Sequence, residues 1–302
     1  MNKFRPSKRH PFRPYQYIHN NLYFGDFNID KAIQKFKTPF YLYNMPILKE
    51  NFLEFKNMAI QHNIPNPLIC FAVKSNSNPN ILNFINKMGA GADIVSGGEL
   101  ARALKSGISP TKIVFSGVGK SENEIKMALK VSSNGIYSFN VESIDELDLI
   151  NFWAKKFKMT ARVALRLNPT VDAKTHPYIS TGHKTHKFGL LKKDLLDIIK
   201  NTNLWSSSKL VGLSIHIGSQ LTCLKATEKA IREMSQVALT INKPLQFLDV
   251  GGGLGVTYNP SEDNVPTINQ YMQIVSKALN KYFFNKYTFN KTPRILFEPG
   301  RS

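Results

Sequence analysis

The strongest constraint on the fold is a regular alternation. From about residue 40 onward, short apolar or β-branched runs ending in Gly, Ser or Asn take turns with longer amphipathic segments. The runs at 68–74, 92–96, 113–116, 135–140, 162–168, 210–218, 246–250 and 294–298 read as strands. A first run at 40–43 leads into a helical stretch over 46–62. Amphipathic stretches at 80–87, 98–106, 122–131, 143–157, 191–201, 226–241 and 268–282 fill most of the gaps. Repeated strand–helix units predict parallel strands joined by helical crossovers. Eight such units predict an α/β chain of the (β/α)8, TIM-barrel type. A doubly wound open sheet would use fewer strands and a Gly-rich first turn. Residues 1–37, interrupted by Pro6, Pro11 and Pro14, read as an extended or irregular lead-in. Only Pro299, Gly300, Arg301 and Ser302 follow the eighth strand, so the expected barrel lacks its last helix.

Composition narrows the function classes. The apolar fraction of 42% is enough for a large core. Lys plus Arg number 40 against 21 acids, a net charge of +19, which suggests a nucleic-acid binder. The basic residues are scattered among Asn and Ile without a block of five like charges, so a solvated surface is the better reading. No run approaches the roughly 18 apolar residues of a membrane span. Met1 to Asn20 has no apolar core of a secretory signal. Cys70 and Cys223 form no metal or redox motif, and the expected setting is the cytoplasm. No nucleic-acid or membrane partner is expected.

In a barrel of this kind the active site forms at the C-terminal ends of the strands. Lys74 closes the first apolar run, where desolvation is expected to lower its pKa and favour the neutral nucleophile. Ser96, after the second strand, reads as a helix cap. The alternation Ser214-Ile215-His216-Ile217 turns His216 toward the barrel mouth. Gly251, Gly252 and Gly253 follow the seventh strand, where backbone N–H groups can approach an anion. Glu298 stands at the end of the eighth strand, near Arg301. Gly119-Lys120-Ser121 lacks the first Gly of a P-loop, which would fall on Val114. His176, His183 and His186 cluster without a convincing further zinc ligand, so no metal is expected. A Lys for an aldehyde, glycines for a phosphate and a carboxylate for a ring nitrogen together meet the requirements of pyridoxal 5'-phosphate.

The chain also resembles the diaminopimelate decarboxylase family of alanine-racemase-like, fold-type III pyridoxal-phosphate enzymes. The resemblance rests on Phe71-Ala72-Val73-Lys74-Ser75-Asn76, Gly91 to Leu100, Leu165-Arg166-Leu167-Asn168-Pro169, His176 to Gly182 and Lys187-Phe188-Gly189. It continues through His216-Ile217-Gly218-Ser219, Val250 to Gly253 and Glu298 to Ser302. It implies that Lys74 holds the cofactor covalently and shuttles protons, and that His216 stacks on its ring. It implies phosphate contacts from Ser219, Gly251, Gly252 and Gly253, with help from Pro299-Gly300-Arg301. Glu298 would pair with the ring nitrogen, Arg166 and Asp93 would lie near the cofactor, and Arg301 would also reach the substrate carboxylate. The implied reaction is decarboxylation of meso-diaminopimelate to L-lysine, with an ornithine- or arginine-type decarboxylase or an inactive remnant as alternatives. The family's C-terminal β-domain, with its Cys and distal substrate-binding residues, is not found in the sequence. The expected division is an N-terminal extension over 1–37, belonging with that domain, and the barrel over 38–302. A homodimer is the expected assembly.

Overall fold

The computed structural model describes residues 15–169, 188–258 and 265–302. A three-stranded antiparallel sheet comes first: β1 (Tyr15–Ile18), β2 (Asn21–Phe24) and β3 (Phe27–Asn28). Helix α1 (Ile29–Phe36) follows, started by the Asn28 side chain accepting from the Asp30 N–H. The lead-in is therefore more regular than its prolines suggest, because all three prolines precede residue 15. Residues 40–43 do not pair as a strand; they lead directly into α2 (Met45–Gln61), capped by Asn44.

The remaining elements alternate: β4 (Leu68–Ala72), α3 (Pro79–Lys87), β5 (Gly91–Ile94), α4 (Gly97–Lys105), β6 (Ile113–Phe115), α5 (Glu122–Lys130), β7 (Ser138–Val141) and α6 (Ile144–Lys156). Then come β8 (Ala161–Leu167), α7 (Lys192–Lys200), β9 (Ser208–Ile215), α8 (Leu224–Ala238), β10 (Phe247–Asp249), α9 (Ile268–Tyr282) and β11 (Arg294–Phe297). The strands β4 to β11 pair in parallel and in chain order, and β11 closes the ring on β4. Closure removes the unpaired edges that an open sheet would leave.

Two apolar layers hold the barrel. Inside it, Leu68, Cys70, Val114, Ala164, Phe247 and Leu296 form a dry floor. A larger core lies between the strands and the surrounding helices, with Ile94, Phe115, Val163, Leu213 and Phe297 meeting residues such as Leu100, Leu147 and Met234. Helix α2 packs beside α9 and borders an apolar cavity of about 240 Å³ against Ile69, Phe71 and Pro299. The helices begin at the mouth of the barrel, and polar side chains start them there. Ser96 Oγ accepts from Glu99 N–H, Ser143 Oγ from Glu146 N–H, and Thr267 forms a capping box with Gln270.

Candidate functional site

The strand period of two decides which side chains line the mouth. Asp93, Ser116, Asn140, Arg166, Asp249 and Glu298 stand two residues beyond Gly91, Val114, Ser138, Ala164, Phe247 and Leu296. Four of those six predecessors belong to the dry floor, so the successors form a polar layer above it. Contacts across the ring establish the inward direction. Asn140 on β7 reaches Asp249 on β10, and Ser116 after β6 reaches Glu298 after β11.

Lys74 does not end a strand. It sits on a single 3₁₀ turn over Val73–Ser75, immediately after β4. Its Nζ donates to Asp93 Oδ2 at 2.6 Å, with the Lys side chain 46% exposed and the Asp fully buried. The expectation of a lowered pKa is corrected here. Burial does push the amine down, but Asp93 and Glu298 together outweigh it, so the ammonium form is favoured. The Pro299-Gly300 turn is fastened to the same place. Ala72 N–H donates to Pro299 O at 2.9 Å, and a Cβ on Gly300 would crowd Ser75.

Asp249 and Glu298 are both buried, 0% and 7% exposed, and lie within hydrogen-bonding reach of each other. Burial raises the pKa of each, and for Glu298 the neighbouring Asp249 adds to the rise. Asn140 Nδ2 spans the pair, 3.3 Å from Asp249 Oδ2 and 3.5 Å from Glu298 Oε1.

The three glycines prove necessary for the chain itself. A Cβ on Gly251 would overlap the Ile215 carbonyl, one on Gly252 the Glu298 carbonyl, and one on Gly253 the Gly218 carbonyl. Gly251 and Gly253 also have φ of +72° and +91°. The triplet thus locks together the loops after β9, β10 and β11. His216 is held in the same knot, its Nδ1 3.4 Å from Gly252 N–H as acceptor. Burial, with Arg166 and Lys74 nearby, pushes its pKa down to about 3, so the ring is neutral. Among the described residues, the N–H groups of Ser219, Gly253 and Gly300 donate to no protein acceptor.

Arg166 is tied to a residue that the sequence reading overlooked. Its Nη1 donates to Glu142 Oε1 at 2.7 Å. Glu142 also accepts from Gly117 N–H at 2.9 Å and Gly189 N–H at 3.1 Å. Lys120, from the rejected P-loop-like stretch, is buried. It pairs with Glu146 at 2.7 Å and donates to the Gly117 and Asn140 carbonyls. Arg301 is exposed and donates to Tyr258 Oη at 2.6 Å. The stretch from His176 to Lys187, with His183 and His186, lies outside the described residues. No group of three metal-ligating side chains occurs among the described residues. Among them, no helix is long and apolar enough to cross a membrane.

These residues fit pyridoxal phosphate. Among the described residues, three buried carboxyl groups, Asp93, Asp249 and Glu298, face a single ammonium, Lys74, which leaves room in the charge balance for a protonated ring nitrogen. Lys74 offers the amine, and the unpaired N–H groups of the mouth loops suit a phosphate.

Comparison with known proteins agrees. Residues 51–302 match the family described as "Pyridoxal-dependent decarboxylase, pyridoxal binding domain". A diaminopimelate decarboxylase of Helicobacter pylori strain J99 is 42% identical over 283 residues, covering 91% of this chain and 65% of that protein. The crystal structure of diaminopimelate decarboxylase from Helicobacter pylori complexed with L-lysine superposes with a TM-score of 0.79 at 40% identity, over 91% of this chain and 66% of that one. The diaminopimelate decarboxylase from M. jannaschii, in co-complex with L-lysine, gives a TM-score of 0.84 at 32% identity, over 95% and 66%. The chain thus spans slightly less than two thirds of the length of these relatives. A closed parallel barrel with a lysine, a neutral histidine, a glycine-locked mouth and buried acids, matched by that profile over most of its length, belongs to the pyridoxal-binding domain family of the pyridoxal-dependent decarboxylases.

Proposed function

We propose that this barrel binds pyridoxal 5'-phosphate and serves the decarboxylation of meso-diaminopimelate to L-lysine and CO2. The observation that carries the reading is the Lys74–Asp93 pair facing the Asp249–Glu298 acids at the barrel mouth. The relatives named diaminopimelate decarboxylase, two of them solved with L-lysine, support the choice of substrate. When bound, pyridoxal phosphate supplies an aldehyde for a covalent link and an electron-poor ring that takes up the electron pair left as CO2 departs.

The protein groups divide the remaining work. Lys74 Nζ must lose a proton before it acts as a nucleophile, and Asp93 Oδ2, at 2.6 Å, is placed to accept or steer it. The uncharged His216 ring offers a flat face. Arg166, fixed by Glu142, adds positive charge on the other side of the mouth. The N–H groups of Ser219, Gly253 and Gly300 would hold the phosphate, with Gly251, Gly252 and Pro299 shaping the loops around it, and Glu298 would face the ring nitrogen. Arg301 would turn from Tyr258 to a substrate carboxylate. We assign residues 1–37 to an extension that packs on a further β-domain, 38–302 to the barrel, and the working assembly to a homodimer in the cytoplasm.

The test is direct. Purified protein given pyridoxal phosphate gains a visible absorbance band, and Lys74→Ala removes it. With meso-diaminopimelate the product is lysine. Putrescine from ornithine instead of lysine would move the assignment to the ornithine branch, and failure to take up pyridoxal phosphate would end the reading.

A further inference from the structure

Glu298 is not alone at its station. Its carboxyl lies beside that of Asp249, within hydrogen-bonding reach, and Asn140 Nδ2 touches both, 3.3 Å from Asp249 Oδ2 and 3.5 Å from Glu298 Oε1. Among the described residues, no arginine or lysine side chain pairs directly with either acid. Two carboxyls so joined can hold one proton but cannot both be ionised without strong repulsion. The donors around them are unequal. Asp249 accepts from Gly251 N–H at 2.9 Å and from Asn140 Nδ2 at 3.3 Å, one bond on each oxygen. Glu298 Oε1 receives only long contacts, 3.5 Å from both Ser116 Oγ and Asn140 Nδ2. The better-served carboxylate is Asp249, so the proton belongs on Glu298.

The geometry points to Asp249 as a positioning residue that, with Glu298, forms a one-proton acid pair and keeps Glu298 loaded to protonate a ring nitrogen at the barrel mouth. The inference rests on the reading of the site as a pyridoxal-phosphate site. The exchange is balanced. The Glu298 O–H bond breaks, the nitrogen lone pair forms the new N–H bond, and Glu298 is left as carboxylate. Asp249 stays ionised throughout, and the cationic nitrogen then offsets the repulsion between the two carboxylates that the transfer leaves. The other groups facing the pair are Asp93 on β5, Lys74 on the turn after β4, Cys70 below on β4 and Tyr271 on α9. Lys74 is occupied by Asp93, and the Cys70 and Tyr271 pKa values are raised by burial and by the acids, so neither competes for the proton.

Infrared spectroscopy of the purified full chain, freed of pyridoxal phosphate, tests the pair. At neutral pH the protein should show one protonated-carboxyl band that shifts in D2O. Asp249→Asn and Glu298→Gln should each abolish it, because an amide donor in place of either acid leaves the other ionised. A separately protonated carboxyl would survive one of the two changes. An absent band, or one that persists in Asp249→Asn, overturns the inference. If Asp249→Asn fails to fold, Asp249→Ser, which removes the carboxyl but keeps a polar group, takes its place, and a band that persists in it overturns the inference. The second readout is the ¹⁵N shift of ¹⁵N-labelled pyridoxal phosphate reconstituted into the protein. Asp249→Asn should lower the pH at which the ring nitrogen loses its proton by about 1–3 units. An unchanged ¹⁵N titration overturns Asp249's role while leaving the cofactor assignment intact. Behaviour of the band as described without any uptake of pyridoxal phosphate would instead strike the proposed function and spare the acid pair.

Discussion

Lys74 keeps its charge because Asp93 and Glu298 outweigh its burial, and a carboxylate holds a cation in the same way at Glu142. One buried carboxylate there receives Arg166 and two backbone N–H groups. Replacing it with Gln would leave Arg166 largely buried without its counter-charge, a change worth about 3 kcal/mol of stability. Denaturant unfolding of Glu142→Gln should register that loss, and an unchanged midpoint would show the pair to be dispensable. The two thiols should separate just as clearly. Cys70 is fully buried and its pKa is pushed well up by burial and three acids, whereas Cys223 is exposed. Native protein should therefore react with a thiol reagent at one site, and at the second only on unfolding. Residue types that announce chemistry by themselves, such as Lys74, His216 and Glu298, were legible in the sequence. Ser116, Asn140 and Asp249 were not singled out, because Ser, Asn and Asp at strand ends look like ordinary turn residues. Their only signal is the count of two from a small or apolar inward residue. Glu142 carried less signal still, since two of its three partners are backbone groups from distant loops.

At the scale of elements, the strand and helix positions followed the hydrophobic pattern closely, and the differences have local causes. The run at 210–218 pairs only as far as Ile215, because Gly218 takes φ of +124° in the turn that carries Ser219. The run at 135–140 starts pairing only at Ser138, after a turn at Gly135 with φ of +66°. Helix α1 escaped notice because it is short and stands in a segment read through its upstream prolines. The caps give a prediction of the same kind. The Asn44 side chain accepts from Ile47 N–H at 3.0 Å and starts the long helix α2. Asn44→Ala should cost about 1 kcal/mol, measurable as a lowered unfolding midpoint, and Asn44→Ser should recover most of it.

The whole molecule titrates in two opposing directions. His216 is kept neutral when folded but binds a proton near pH 6.5 when unfolded. Its contribution to stability is full above about pH 6.5 and falls away as the pH drops toward 3. The Asp249–Glu298 pair holds its proton longer in the folded state, so its contribution is greatest in acid and declines as pH rises through the carboxylate range and beyond. Stability of the cofactor-free protein should pass through a maximum between these limits. His216→Asn should flatten the acid limb between about pH 6.5 and 4, and a limb of unchanged slope would show that other groups set it. The glycine knot carries a consequence for how such a chain can change over generations. Because Gly251, Gly252 and Gly253 each abut the carbonyl of a different strand end or loop, the lengths of the segments Gly218–Leu221, Gly251–Gly255 and Glu298–Arg301 are interdependent. A scan of single-residue insertions should find all three intolerant, while the exposed turn around Asn134 accepts them. A lengthened loop at the mouth could then persist only alongside a matching change in its neighbours.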